Sequence, residues 1–493
     1  MKSKVQKVSF SEKVGYSLGD GSANLVFQMM MMFQLFFFTD VFGIKATAAG
    51  MILLFARVFD AFVDPLAGIL ADRTNTRWGK YRPWILWTAL PFAVFFILAF
   101  LTPDYSERGK IIYAGITYTL LMSIYSFNNT PYSSLSGVMT NDVKERTSIS
   151  SIRFVTATIA TFIVQGLTLP LVSRFGQGDT QKGWALTITL FAAVAVVLLV
   201  ITFFSARERI TPPAGQRTSV KQDFKDVIGN RPWKTMFTLT FFLFITLAMW
   251  GSGMSYYFNY YIDKDALFVF LGKIGLVSNT ANTGIAYSVL NAFGLIAADN
   301  SQVFAVGFSL FNMVGQLFTL AGVILLSQFL ANIFGKRNVF IVCLSFTALF
   351  TGLFFVIPPE SIGLVFTINI LKSLAYAPTI PLLWAMMGDV ADHSEWVNHR
   401  RATGFVFAGI VFALKAGLGF GGAICGAIID SCGFVANAVQ DSFAITGIKL
   451  TSSIVPACTF IICAVALFFY PISKKLNEQI QNELNKRREG VVV

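Results

Sequence analysis

Phe55-Ala56-Arg57-Val58-Phe59-Asp60-Ala61-Phe62-Val63-Asp64-Pro65 lies inside a stretch, Ala48 to Ala71, that is otherwise almost wholly apolar. Arg57, Asp60 and Asp64 stand at i, i+3 and i+7, on one face of a helix. A charge at the centre of a membrane-spanning helix costs at least ~2.5–3.5 kcal/mol, so such residues face a bundle interior or a water-filled path. Two carboxylates one turn apart in low dielectric repel each other, which makes the pair a place to take up and release a proton or small cation. A simple packing ion pair between Arg57 and Asp60 would leave Asp64 uncompensated.

The whole chain supports a membrane reading. Of 493 residues, 55% are hydrophobic and only 13% charged, with a mean hydropathy of +0.65, whereas soluble chains run about 25% charged. Apolar stretches of spanning length fall near Tyr16 to Asp40, Ala48 to Ala71, Trp84 to Leu101, Ile111 to Met139, Thr147 to Val172 and Trp184 to Ser205, and again near Thr235 to Ile262, Val303 to Phe334, Val339 to Ile357, Leu364 to Met387, Ala402 to Ile429 and Ser452 to Pro471. A polar segment with Pro212-Pro213-Ala214-Gly215 separates the two sets. The predicted fold is an all-α membrane protein of twelve transmembrane helices in two six-helix bundles. Residues 1–205 form the first bundle, 206–234 a cytoplasmic linker, 235–472 the second bundle with an extracytoplasmic insertion at 263–302, and 473–493 a cytoplasmic tail.

The net charge of +12 reports topology. Of 38 basic residues, 26 fall in segments on the side shared by both termini and 8 on the other side, which predicts cytoplasmic termini in a cell (inner) membrane and removes any need for nucleic acid. Lys2, Lys4 and Lys7 precede a first apolar stretch of full length, predicting an uncleaved first helix. The four basic residues left inside spans are Arg57, Arg153, Lys372 and Lys415. The five cysteines lie in the second half, mostly in apolar spans, and suit packing. His393 and His399 have no metal-ligand or catalytic grouping around them, so neither an enzyme nor a bound cofactor is expected.

Polar faces recur in the first half. Asp20, Asn24 and Gln28 share a face of span one, and Tyr125, Asn129, Tyr132, Ser133 and Ser136 share one of span four, with Asn128 beside it. Amides and carboxylates can bind a hydroxyl-rich ligand while rings stack on its apolar face; helix–helix hydrogen bonding would explain isolated Asn and Ser equally well. Arg153 enters span five. Aligned faces on several spans imply a hydrated transport path. In the second half, Tyr376-Ala377-Pro378-Thr379-Ile380-Pro381 should break span ten, and interrupted helices often line transporter sites. Lys415 needs a carboxylate partner, with Asp60 and Asp64 the candidates.

The run from Arg57 through Asp60, Asp64-Pro65, Gly68 and Asp72-Arg73 to Thr76-Arg77-Trp78-Gly79-Lys80-Tyr81-Arg82-Pro83-Trp84 resembles the glycoside-pentoside-hexuronide:cation symporter family of the major facilitator superfamily, which includes melibiose permease. So do Gly15-Tyr16-Ser17-Leu18-Gly19-Asp20, Asn141-Asp142 with Glu145-Arg146-Thr147 and Arg153, and Gly388-Asp389 with Asp392, Glu395-Trp396 and Arg400-Arg401. The resemblance implies alternating access by rocking of two bundles around a central cavity. It makes Asp60 and Asp64 the coupling-cation carboxylates, with Ser126 helping to coordinate. It makes Arg57 a neighbouring charge, Lys415 the lysine facing the site, and Arg153 a sugar contact. Asp142, Arg146, Asp389, Asp392, Glu395 and Arg401 match a cytoplasmic gate that holds one bundle against the other.

Departures qualify that picture. Asn24 and Asn129 stand where melibiose permease has sugar-binding carboxylates, and Ser133 replaces a stacking tryptophan. Val63 replaces an asparagine that helps bind sodium, which favours H+ over Na+ as the coupling ion. The insertion at 263–302 suits either a cap over the outer vestibule or an amphipathic segment on the membrane. The expected function is import of a sugar or glycoside, oligosaccharide or uronide included, by cation symport. The alternative is a cation-independent facilitator or a carrier of lipid-like solutes. The expected partners are the substrate, the cation and the lipid bilayer, with the protein a monomer.

Overall fold

The computed structural model describes residues 8–140, 142–209, 227–278, 284–398 and 403–488. Arg401, and Pro212-Pro213 of the linker, lie outside these residues. The described elements are α1 (Phe10–Met32), α2 (Ala46–Arg73), α3 (Arg82–Leu98), α4 (Glu107–Met139), α5 (Val143–Gly176), α6 (Thr180–Ser205), α7 (Arg231–Tyr256), α8 (Lys264–Lys273), α9 (Ile285–Ala292), α10 (Val303–Phe334), α11 (Lys336–Leu353), α12 (Ile362–Tyr376), α13 (Thr379–Asn398), α14 (Thr403–Ser431), α15 (Ser442–Lys449), α16 (Val455–Phe468) and α17 (Lys474–Arg488).

Local chemistry sets the helix boundaries. Side-chain caps on free amides begin α1 (Ser9 on Glu12), α4 (Ser106 on Gly109), α6 (Asp179 on Lys182) and α7 (Asn230 on Trp233), each satisfying an amide that helix geometry leaves without a partner. The span-ten break falls where its prolines predict: α12 ends at Tyr376 and α13 starts at Thr379, with Pro381 tolerated in the new first turn. Spans one and seven both continue past their α-helices into π-helical turns, Phe37–Val41 and Tyr257–Tyr261.

Among the described residues, nine helices are long and apolar enough to cross a membrane, and a tenth counts if the two pieces of span one, bent by 54°, are taken together. The third expected span, α3, has only 17 residues. The fourth, α4, has 33 residues, and its Tyr, Ser, Thr and Asn face dilutes its hydropathy. The polarity that weakens α4 as a span is the polarity that makes it a candidate site.

The chain divides into two compact units, Met1–Gly215 with Asp263–Met313 and Val435–Val439, and Gln216–Ile262 with Val314–Phe434 and Gln440–Val493. The insertion, placed by chain order in the second half, therefore packs as part of the first unit. Gly294 (φ +73°) approaches the carbonyl of Pro170 in α5 so closely that a Cβ would stand 2.5 Å from its oxygen, and Leu267 of α8 fills the space over Gly307. A parallel bridge between Val277 and Ala297 closes the insertion's loop. The second unit is centred on Met236, Leu239 and Leu243 of α7 packed with Phe340, Leu344, Met386, Phe460 and Leu467.

Candidate functional site

In the first unit, α1, α2, α4 and α5 bring most of the expected residues together. The Tyr16 and Tyr132 rings stack with centroids 4.6 Å apart and planes 17° from parallel. Each hydroxyl donates to the other residue's backbone carbonyl, at 2.8 and 3.0 Å. Gly19 permits this approach, since a Cβ there would sit 2.5 Å from the Tyr132 ring. The Arg153 guanidinium lies 5.1 Å from the Tyr132 ring centroid and 5.8 Å from that of Tyr16. It also donates to Asp20 Oδ1 at 3.3 Å. Asp20, Tyr132 and Arg153 thus form a cation held between a carboxylate and a stacked aromatic pair.

Further along the same face, Asn24 donates to the Asp20 carbonyl at 2.9 Å. Gln28 Oε1 is buried without a hydrogen-bond partner among the described residues. Tyr125 gathers with Phe27 and Phe92, at 6.3 and 6.1 Å between centroids. Asn129 is half-buried, and Ser133 is exposed. Asn128 instead points to α3, donating to Thr88 Oγ1 at 2.7 Å, so it joins helices. Ser136 turns back to the Ser133 carbonyl at 2.8 Å.

In α2, Asp60 is fully buried and receives the Ser126 hydroxyl at 2.5 Å. Arg57 is also buried, its guanidinium 5.6 Å from the Phe27 ring. Asp64 is half-buried on the same face. In the second unit, Lys415 lies half-buried in α14. Lys372, for which the sequence suggests no role, stands 3.5 Å over the Trp250 ring.

Asp142, Arg146, Asp389 and Asp392 have partners inside their own units. Asp142 caps α5 by accepting from the Lys144 and Glu145 amides, and Arg146 donates to the carbonyls of Thr140 and Gly137 at 2.8 and 3.1 Å. Asp389 takes Lys336 Nζ at 2.7 Å, and Asp392 takes Gln481 at 2.7 Å. Glu395 lies in the same helix, α13. These contacts, with Trp396 donating to Glu483 at 2.6 Å, seat α17 against the end of α13.

Sequence reasoning missed three features. Tyr16 was visible only as part of a motif, although it lies one turn from Asp20. Glu12 pairs with Arg209 at 2.6 Å, and Lys13 with Glu145 at 2.9 Å. Glu208, at the start of the linker, accepts the amides of Lys80, Tyr81 and Arg82 at 2.9, 2.7 and 2.9 Å. This carboxylate closes the N-terminus of α3, where free amides favour an anion, and Gly79 (φ +114°) leaves the room. Burial, together with the bond to Asp72, holds the Tyr81 phenol above its usual range. Only distant chain pairings of this kind could have exposed these roles.

The family described as MFS/sugar transport protein matches residues 15–298 and 299–474. The inner membrane symporter YicJ of Escherichia coli (strain K12) is 35% identical, over 99% of this chain and 97% of its own. The putative glycoside/cation symporter YagG of the same organism is 35% identical over 98% and 96%. The isoprimeverose transporter of Lactiplantibacillus pentosus is 32% identical over 95% and 90%. A D-xylose-proton symporter structure superposes with a TM-score of 0.57 at 13% identity, covering 95% of this chain and 98% of that one, a likeness of fold. The chain belongs to the MFS/sugar transport protein family, within the melibiose-permease-like glycoside/cation symporters, and is therefore a multi-pass membrane transporter and not an enzyme.

Proposed function

We propose that this protein imports a sugar or glycoside by symport with a cation, H+ in preference to Na+, through alternating access. The observation that carries the reading is the buried Asp60–Ser126 bond beside the Asp20–Arg153–Tyr132 cluster in one unit. One set suits a cation and the other a hydroxyl-rich ligand. The names of the relatives, a glycoside/cation symporter and an isoprimeverose transporter, support the same class.

In this reading Asp60, Asp64 and Ser126 hold the cation, with Arg57 and Lys415 setting the charge around it. Asp20, Asn24, Tyr125, Asn129, Tyr132, Ser133 and Arg153 contact substrate. Asp142, Arg146, Asp389, Asp392, Glu395 and Arg401 form the cytoplasmic gate. Because Arg153 already has Asp20 as a partner, it does not need an acidic substrate, and a neutral glycoside suits the cluster. Val63 removes an oxygen ligand that sodium would use, whereas a proton needs one carboxylate. Both termini are cytoplasmic and the transporter works as a monomer.

Coupling means that sugar and cation tighten each other's binding by the same factor. The test is uptake of radiolabelled isoprimeverose into proteoliposomes under an imposed pH or sodium gradient. Accumulation driven by the pH gradient supports the reading. Equilibration to the outside concentration under every gradient would establish a facilitator instead.

A further inference from the structure

Where the insertion meets the far end of α5, a cavity of ≈ 500 Å³ opens within the first unit, lined by Ser173, Arg174, Phe175, Gln177, Asn291 and Gln302 among others. That volume is in the range of small-molecule sites, about 300–1,000 Å³. We infer that this cavity is a second saccharide site, at the end of the bundle away from the N-terminus, which receives glycosides of about disaccharide size before they enter the transport path. The inference rests on the transport reading for the identity of its ligand.

The polar groups are arranged for a ligand. Arg174, Gln177 and Asn291 are exposed where they line the cavity, so their polar groups are open to a ligand that enters from solvent. A guanidinium and two carboxamides can donate to and accept from neighbouring hydroxyls, and the Phe175 ring offers an apolar plane; these are the groups a pyranose needs. Gln302 behaves differently, since its Oε1 accepts the Ala298 amide and fixes the cavity's edge.

The two walls meet closely: Gly294 packs against the Pro170 carbonyl, where a Cβ would have no room. The bridge between Val277 and Ala297 holds Ser278 beside Ala298. Ile285 and Val289 of α9, and Phe293 just beyond it, are exposed apolar residues, and Asn291 of the same helix lines the cavity. The insertion supplies one wall of the cavity and α5 the other.

The experiment is accessibility labelling of the full chain in vesicles. Asn291→Cys in a Cys458→Ser background is reacted with a membrane-impermeant maleimide, with and without millimolar isoprimeverose. Saturating sugar should slow labelling at least 5-fold, and still do so when Arg153→Ala is added, because the second site does not use Arg153. Ser173→Cys on the opposite wall should give the same protection, and Arg174→Ala should abolish both. Unchanged labelling at both positions overturns the site, whatever the uptake assay shows. Protection without accumulation in proteoliposomes would keep the site and overturn the transport reading.

Discussion

The Ser126 hydroxyl of α4 stands 2.5 Å from Oδ1 of Asp60, a carboxylate of α2 with no solvent exposure. Two helices thus share one acidic group, and whatever binds Asp60 alters the contact between them. Hydrogen bonds to charged groups are worth about 1.5–3 kcal/mol. Ser126→Ala should therefore change the half-saturating cation concentration for uptake by roughly 10-fold or more and also lower the thermal unfolding midpoint, because the buried carboxylate loses a donor. Titrating uptake against pH and sodium in proteoliposomes checks this.

Removing charge from the pair separates coupling from passage. Asp60→Asn with Asp64→Asn should abolish accumulation against a gradient and leave sugar exchange intact. Measuring both in the same vesicles decides it: retained accumulation would show that these carboxylates do not couple.

The Tyr16–Tyr132 stack has no spare room. Gly19→Ala puts a methyl within 2.5 Å of the Tyr132 ring, and overpacking of this kind costs about 1–3 kcal/mol. The expected result is a lower unfolding temperature together with at least several-fold weaker sugar binding, because Arg153 rests on the displaced ring. Tyr132→Phe, which keeps the ring and loses one buried hydrogen bond, should cost only ~1 kcal/mol and retain most binding.

Glu208 ties the linker to the loop before α3. Glu208→Ala leaves three backbone donors without their acceptor and should destabilise the first unit by about 1–3 kcal/mol. Faster proteolysis at Arg77 or Lys80 in membranes would report the loosened loop.

Docking of α17 should depend on pH. The Trp396 indole and then the Gln479 amide hold the Glu483 carboxyl below its usual range. A depressed value in the folded state means the bond contributes fully above the ordinary glutamate value of about 4.3 and is lost as pH falls through the lowered one. Protection factors for hydrogen exchange of residues 474–488, corrected for the intrinsic pH dependence of amide exchange, should be constant above the ordinary glutamate value of about 4.3 and fall at lower pH, a dependence that Glu483→Gln removes.

Most of the fold was legible because bilayer physics leaves few options: long apolar stretches and the paired prolines of span ten each report a local rule. The candidate site was legible where polar residues shared a helical face, as with Asp20 and Asn24 or Asp60 and Asp64. The same logic could not tell Asn128, which bonds to Thr88 on the neighbouring helix, from Asn129 beside it, since adjacent residues in a helix face different neighbours. Nor could it choose between the two readings of the insertion.

By itself, then, the sequence determined the class and the short set of charges within apolar stretches, because each follows from spacing along one helix and from the energy of charge in lipid. Only the tertiary structure decided the partners: Arg153 with Asp20, Ser126 with Asp60, Glu208 with the amides at α3, and the insertion with α5. Those pairings join residues far apart in the chain, and which face meets which is set by packing of whole helices, a property that no single helix's periodicity contains.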